Sequence, residues 1–224
     1  MAALTVVFDL DGTLVDTAPD LIETLNVVFT RDGLPPVEYA AARDMIGGGA
    51  RRMIESGLKL KGRRLADSVV DRMFAEVIAH YAAHIADRSR PFPGLDAALG
   101  RLAERGCRFA VCNNKLEGLS RLLLEELGLT PRFAAICGQD TFGIQKPDPE
   151  ILRRTIQAAG GAPRRAVMVG DSGTDIATAR AAGVPIVAVD FGYSETPIGN
   201  LRPDRLISHF NQLVDAVFAL AQPE

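Results

Sequence analysis

Val6-Val7-Phe8-Asp9-Leu10-Asp11-Gly12-Thr13 is the stretch on which the fold turns. Three β-favouring apolar residues run straight into two carboxylates and a glycine. An apolar run that is continuous rather than alternating is the pattern of a parallel strand covered on both faces. Asp9 and Asp11 stand two apart, so on an extended chain they point the same way while Leu10 points oppositely, into a core. Gly12 allows the backbone to turn sharply beyond them. The stretch therefore reads as a strand that delivers two carboxylates to one rim.

Similar runs recur downstream at 109–112, 134–137, 166–169, 186–189 and 206–207. Between most of them lie helical patterns, at 95–105, 116–127 and 150–159, with Gly106, Gly128 and Gly160 where helix C-caps belong. This β-α-β alternation predicts an α/β fold with a doubly wound parallel sheet, a Rossmann-like core. One segment breaks the alternation. From about 18 to 87 there are helical patterns, at 18–30 and 64–88 with a shorter one after Gly49, and no convincing strand. The first strand is thus followed by a helical insertion. Pro19 marks its start, and Arg90-Pro91-Phe92-Pro93-Gly94 its end, as stiff linkers. The expected division is 1–16 and 89–224 for the core and 17–88 for the insertion.

Composition fits a protein of this kind. Of 224 residues, 47% are hydrophobic and 24% charged, which supports a packed core without disulfides or structural metal. The net charge of -3 gives no reason to expect a nucleic-acid or membrane-surface partner. Cys107, Cys112 and Cys137 form no CxxC pair, and buried reduced thiols are expected. The N-terminal apolar run has no basic region before it and ends in carboxylates, so it reads as a strand rather than a signal peptide. No apolar stretch approaches the roughly 20 residues of a membrane helix. The expected compartment is the cytoplasm, and the sequence is equally compatible with a monomer or a homodimer.

Ligands of open parallel sheets bind beyond the carboxyl ends of the strands. There the sequence places Asp9 and Asp11, then Asn113-Asn114-Lys115, then Gly170-Asp171-Ser172-Gly173-Thr174-Asp175, with Lys146 before Pro147-Asp148-Pro149. Adjacent carboxylates repel, and a divalent cation removes that penalty. Asp171 would supply a third oxygen ligand beside Asp9 and Asp11, a donor set that suits Mg²⁺ together with water and a phosphate. Taken singly, each feature has a plainer explanation. Asp and Gly after strands often only cap the next helix, Lys146 could be a solvated loop lysine, and Asn113-Asn114 an ordinary turn. DxDGT, Lys-Pro and GDSxxD in fixed order are harder to explain that way.

These motifs, over the whole chain and including the position of the insertion, resemble those of the haloacid dehalogenase superfamily of phosphohydrolases. The resemblance implies that the insertion is an α-helical cap domain. It further implies that Asp9 is the nucleophile, forming an aspartyl phosphate, and Asp11 the general acid/base. Lys146 would hold the phosphoryl oxygens, Asp171 would bind Mg²⁺ with Asp175 behind it, and Thr13 would shape the loop. Where the superfamily usually has Ser or Thr, this chain has Asn113, whose amide can still donate to a phosphoryl oxygen. A non-catalytic receiver-like module would not need a helical insertion over its acidic site.

In the insertion, Ile46-Gly47-Gly48-Gly49-Ala50-Arg51-Arg52 feeds a helix N-terminus, where free N–H groups suit an anion. It reads either as a flexible connection or as a loop that inspects the substrate. This loop, Ser89-Arg90-Pro91-Phe92-Pro93-Gly94 and the tail from Val189 to Pro197 are similar to phosphoglycolate phosphatases of that superfamily. The implied partner is a small phosphate ester, 2-phosphoglycolate, with another sugar phosphate, pyrophosphate or a phosphosugar mutase reaction as alternatives. Gly48, Gly49, Arg51 and, from the core rim, Asn114 are the candidate substrate contacts. His80 and His84 share a helix face four apart, but no third metal ligand accompanies them.

Overall fold

The computed structural model describes residues 3–194 and 196–221. Met1 and Ala2, at the start of the N-terminal run read as a strand rather than a signal peptide, and Glu195 of the quoted tail lie outside the described residues. The described elements run β1 (Thr5–Phe8), β2 (Val15–Asp16), α1 (Ala18–Arg31), α2 (Tyr39–Arg43), α3 (Ala50–Leu60), α4 (Asp67–Ala83), β3 (Arg90–Pro91), α5 (Leu95–Glu104), β4 (Arg108–Cys112), α6 (Glu117–Glu126), β5 (Ala135–Cys137), α7 (Pro149–Ala158), β6 (Ala166–Gly170), α8 (Gly173–Ala182), β7 (Ile186–Val189), β8 (Arg205–Ile207) and α9 (Leu213–Leu220).

Six strands form one sheet in the order β5-β4-β1-β6-β7-β8, and every pairing in it is parallel. The apolar runs are buried on both faces, as their composition demands. Val6 and Phe8 of β1 pack in one apolar cluster with Leu99 of α5, Leu123 of α6 and Val217 of α9. Val7, between them, packs on the other side with Ile151 and Ile156 of α7 and Ile176 of α8. The sheet is therefore doubly wound, as expected. β1 lies at its centre between β4 and β6, with Phe8 level with both Val111 and Val169. That register sets the carboxyl ends of three strands, and so Asp9, Asn113 and Asp171, side by side.

Helices α1 to α4 interrupt the alternation after β2. α4 packs on α1 and α3, through Val70, Met73, Val77 and Tyr81, an apolar stripe at helical spacing. Their cluster is continuous with the sheet's face through Leu10, Leu14 and Leu21. α4 is shorter than the helix predicted over 64–88. Ala66 is extended (ψ 149°), Asp67 opens the first turn, and His84 leaves helical geometry at φ -130°. α2 was not predicted: five residues are too few to show a period. The exit linker pairs with the chain that precedes the insertion. Val15 lies opposite Pro91 and Asp16 opposite Arg90 in the antiparallel β2-β3 ladder. No helix among the described residues is long and apolar enough to cross a membrane.

Candidate active site

The Asp9 backbone N–H donates to Val169 O at 2.9 Å, which extends the ladder one residue beyond β1 and fixes where the Asp9 side chain emerges. Its Oδ1 lies 2.9 Å from Lys146 Nζ, and that ammonium lies 2.6 Å from Asp175 Oδ1. The other oxygen of Asp175 accepts from Ser172 N at 3.0 Å and Ser172 Oγ at 2.6 Å, completing a capping box on α8. Asp175 thus ties the start of α8 to Lys146. Asn114 clamps the backbone of the same lysine: Lys146 N donates to Asn114 Oδ1 at 2.8 Å, and Asn114 Nδ2 to Lys146 O at 3.1 Å. Asp171 accepts from Thr13 Oγ1 at 2.8 Å and from Tyr193 N at 2.7 Å, so three distant segments converge on one carboxylate.

The electrostatics are those of crowded, desolvated acids. Burial, reinforced by Asp175 and Asp171, holds the Asp9 carboxyl well above the usual carboxylate range against the pull of Lys146. Burial and Asp175 push Asp171 up to about 7, although Tyr193 N–H and Thr13 favour its ionised form. Burial opposes the Lys146 charge, but Asp175 and Asp9 outweigh it and raise its pKa. Carboxylate oxygens of Asp9, Asp171 and Asp175 lie within 4.8 Å of one another. A buried, oxygen-only cluster in which two carboxyls, Asp9 and Asp171, are raised by burial and by neighbouring carboxylates fits a hard divalent cation.

Asp11 does not join that cluster, contrary to its expected place as a metal ligand through its side chain. Its Oδ1 lies 2.8 Å from Lys115 Nζ and accepts from Thr17 Oγ1 at 2.7 Å. Asp11 faces the same cavity as Asp9, with Leu10 in the core as alternation expects, but Lys115 and Thr17 hold its carboxylate apart from the cluster. Asn113 is also used differently from the expectation. Its Oδ1 accepts from Lys115 N at 2.8 Å and its Nδ2 donates to Ser120 Oγ at 3.1 Å, so it builds the turn into α6.

Between the insertion and the sheet rim lies a narrow cavity lined by Asp9, Asp11 and Lys115, with apolar walls that include Leu21, Met53, Phe74 and Val77. Gly49 and Asn114 also line it, whereas Gly48 faces a neighbouring cleft with Arg52 and Ser172. Arg51 lines neither. Its guanidinium pairs with Asp71 on α4 and lies 5.6 Å from the Phe74 ring centroid, with its side chain 46% exposed. The reason is helical phase. Ala50 and Met53 of α3 share the inward face, and Arg51 is turned about 100° from Ala50.

Residues 6–189 match the family described as haloacid dehalogenase-like hydrolase. This chain belongs to the haloacid dehalogenase-like hydrolases. Within them it is similar to phosphoglycolate phosphatases, which are phosphoric monoester hydrolases. A phosphoglycolate phosphatase of Mesorhizobium japonicum is 48% identical, covering 95% of this chain and 94% of the relative. One from Agrobacterium fabrum is 45% identical, covering 95% and 91%. The crystal structure of a predicted phosphoglycolate phosphatase from Haemophilus somnus superposes with a TM-score of 0.88 at 27% identity, over 95% of this chain and 97% of that one.

Three residues of this haloacid dehalogenase-like hydrolase hold the site without having been given a role from the sequence. Lys115 is buried and bridges Asp11 to Tyr81, whose hydroxyl accepts from Lys115 Nζ at 2.8 Å. Burial opposes the Lys115 charge, but Asp11 and Tyr81 hold its pKa above the ordinary lysine value. Burial pushes the Tyr81 hydroxyl up to about 12. Tyr193 donates from its hydroxyl to Asp16 at 2.5 Å and accepts from Ala18 N at 3.0 Å, securing the first linker. Lys115 was within reach of sequence reasoning, since it follows two rim amides directly. Tyr81 reads from sequence only as one more position of an apolar helix stripe.

Proposed function

We propose that this hydrolase converts 2-phosphoglycolate to glycolate and phosphate through an aspartyl phosphate on Asp9. The observation that carries this is the pair of carboxylates at one narrow cavity, each held by a different buried lysine: Asp9 by Lys146 and Asp11 by Lys115. Residues 17–88 serve as the cap over a core made of 1–16 and 89–224. Asp9 and Asp171, with Asp175 behind them, would hold Mg²⁺, whose charge would offset that of the phosphate dianion.

The chain's own groups then have defined work. Lys146, anchored by Asp175, donates to the phosphoryl oxygens and keeps the Asp9 carboxylate aimed. An Asp9 oxygen bonds to phosphorus as the ester P–O bond breaks, and Asp11 passes its proton to the leaving glycolate oxygen. A water molecule next gives a proton to Asp11 and its oxygen to phosphorus. The acyl-phosphate P–O bond breaks, Asp9 returns as a carboxylate, and inorganic phosphate leaves. The apolar walls around the cavity keep bulk water away from the first transfer, to Asp9, and favour a small leaving group. The three unpaired thiols suit a reducing, cytoplasmic setting.

Turnover on a panel of esters with Mg²⁺ tests the assignment. Phosphoglycolate is expected to exceed glucose phosphates and pyrophosphate in kcat/KM by roughly ten-fold or more, at least about 1.4 kcal/mol of transition-state preference. Equal or faster hydrolysis of a sugar phosphate overturns the substrate assignment.

A further inference from the structure

Among the described residues that line the cavity, two are carboxylates, Asp9 and Asp11, and a single one is cationic, Lys115. Arg51, the cation expected to meet a substrate anion, points away and is committed to Asp71. A dianionic phosphate has Lys146 behind Asp9 to receive it. A second anion on the same small substrate has no such partner except Lys115.

The hydrogen bonding of Lys115 suits that task. Its ammonium lies 2.8 Å from Asp11 Oδ1 and 2.8 Å from Tyr81 Oη. An ammonium has three N–H donors, so those two contacts leave one. Tyr81 Oη accepts in its bond with Lys115, which leaves the hydroxyl proton for a further acceptor. Both residues line the cavity, one from the core and one from α4 of the insertion. The walls beside them are apolar, and a charge-assisted hydrogen bond is stronger where water is excluded.

Building on the proposed function, we propose that Lys115 is the specificity-determining residue: its ammonium, with the Tyr81 hydroxyl beside it, receives the carboxylate of the leaving group. The site that reads the substrate's far end is then shared between core and insertion rather than built on the glycine loop and Arg51. A substrate carrying a carboxylate joins Lys115 to Tyr81 a second time, so recognition also holds the insertion down over Asp9. An ester of the same size without the carboxylate gains neither contact.

The test compares 2-phosphoglycolate with ethyl phosphate, which keeps the ester and loses the carboxylate. It uses the full-length enzyme with Mg²⁺, with thermal melting as a folding control. Wild type should prefer phosphoglycolate; if it does not, the substrate assignment itself falls, before any variant is made. Lys115→Met should cut the ratio of kcat/KM values, phosphoglycolate over ethyl phosphate, by roughly ten-fold or more, chiefly through KM. Glycolate should inhibit ethyl phosphate turnover by wild type and not by this variant. Tyr81→Phe removes one hydroxyl and keeps the ring, so it serves if Lys115→Met folds poorly; its ratio should fall several-fold. Lys115→Arg should retain most of the preference. A wild-type preference that survives both Lys115→Met and Tyr81→Phe overturns the proposal. So does an equal loss on both esters with glycolate inhibition intact, since Lys115 then acts only through Asp11 or the fold.

Discussion

Asp9 carries a cost in the folded protein that only its chemistry explains. It is buried among Asp171 and Asp175, and its cation partner, Lys146, is shared with Asp175. Packing alone would be served as well by an amide of the same shape. Asp9→Asn should therefore leave the fold intact and remove the nucleophile. Activity with Mg²⁺ is expected below about a hundredth of wild type, a barrier increase of at least ~3 kcal/mol, with a melting temperature at neutral pH equal to or above wild type. A variant that keeps more activity than this would show that Asp9 does not attack phosphorus.

At the scale of elements, the turn after β1 constrains the site through both backbone conformation and space. Gly12 has φ 83°, and a Cβ there would come within 2.4 Å of Asp171 Oδ2 and 2.8 Å of Tyr193 Cδ2. Gly12→Ala thus combines left-handed backbone strain with a clash against a candidate metal ligand. Gly33, after α1, has φ 68° but nothing within 4 Å of a built Cβ. The pair separates the two effects. Gly33→Ala should cost about 1–2 kcal/mol of stability in denaturant unfolding and leave turnover unchanged. Gly12→Ala should cost a similar or larger amount and also lower kcat/KM by roughly ten-fold or more. Comparable turnover in the two variants would mean that Asp171 need not hold its position.

For the whole molecule, the acidic cluster links stability to pH and to cation binding. Asp171 titrates near 7 in the folded protein against an ordinary 3.8, and Asp9 is shifted in the same direction. Between about pH 4 and 7 the metal-free folded state therefore holds protons that the unfolded chain has released. Stability then falls as pH rises through that window. A bound cation takes the place of those protons, so its stabilising effect should grow with pH. Melting temperatures measured from pH 5 to 8 in chelator and in Mg²⁺ should diverge, with the larger gap at pH 8. A gap that stays constant with pH would place the cation away from Asp9 and Asp171.

The strands, the helical insertion and the motif-bearing rim were legible in the sequence because they rest on local pattern. Continuous apolar runs need cover on both faces, and a carboxylate at a strand end stays at that end whatever packs around it. The reading failed where an outcome depends on segments far apart in the chain. Asp11 stands apart from the acidic cluster because Lys115, from another strand end, captures its carboxylate. Arg51 left the cavity because α3 is rotated to bury Met53 and Ile54. The β2-β3 ladder joins residues that no local period connects. The sequence by itself determined the sheet, the insertion and the presence of Asp9, Lys146, Asp171 and Asp175 at one rim. Only the tertiary structure decided which lysine holds which carboxylate, and which side chain of the insertion faces the cavity. Backbone pattern is set by near neighbours, whereas the partner of a charge is set by which distant group the fold brings within hydrogen-bonding reach.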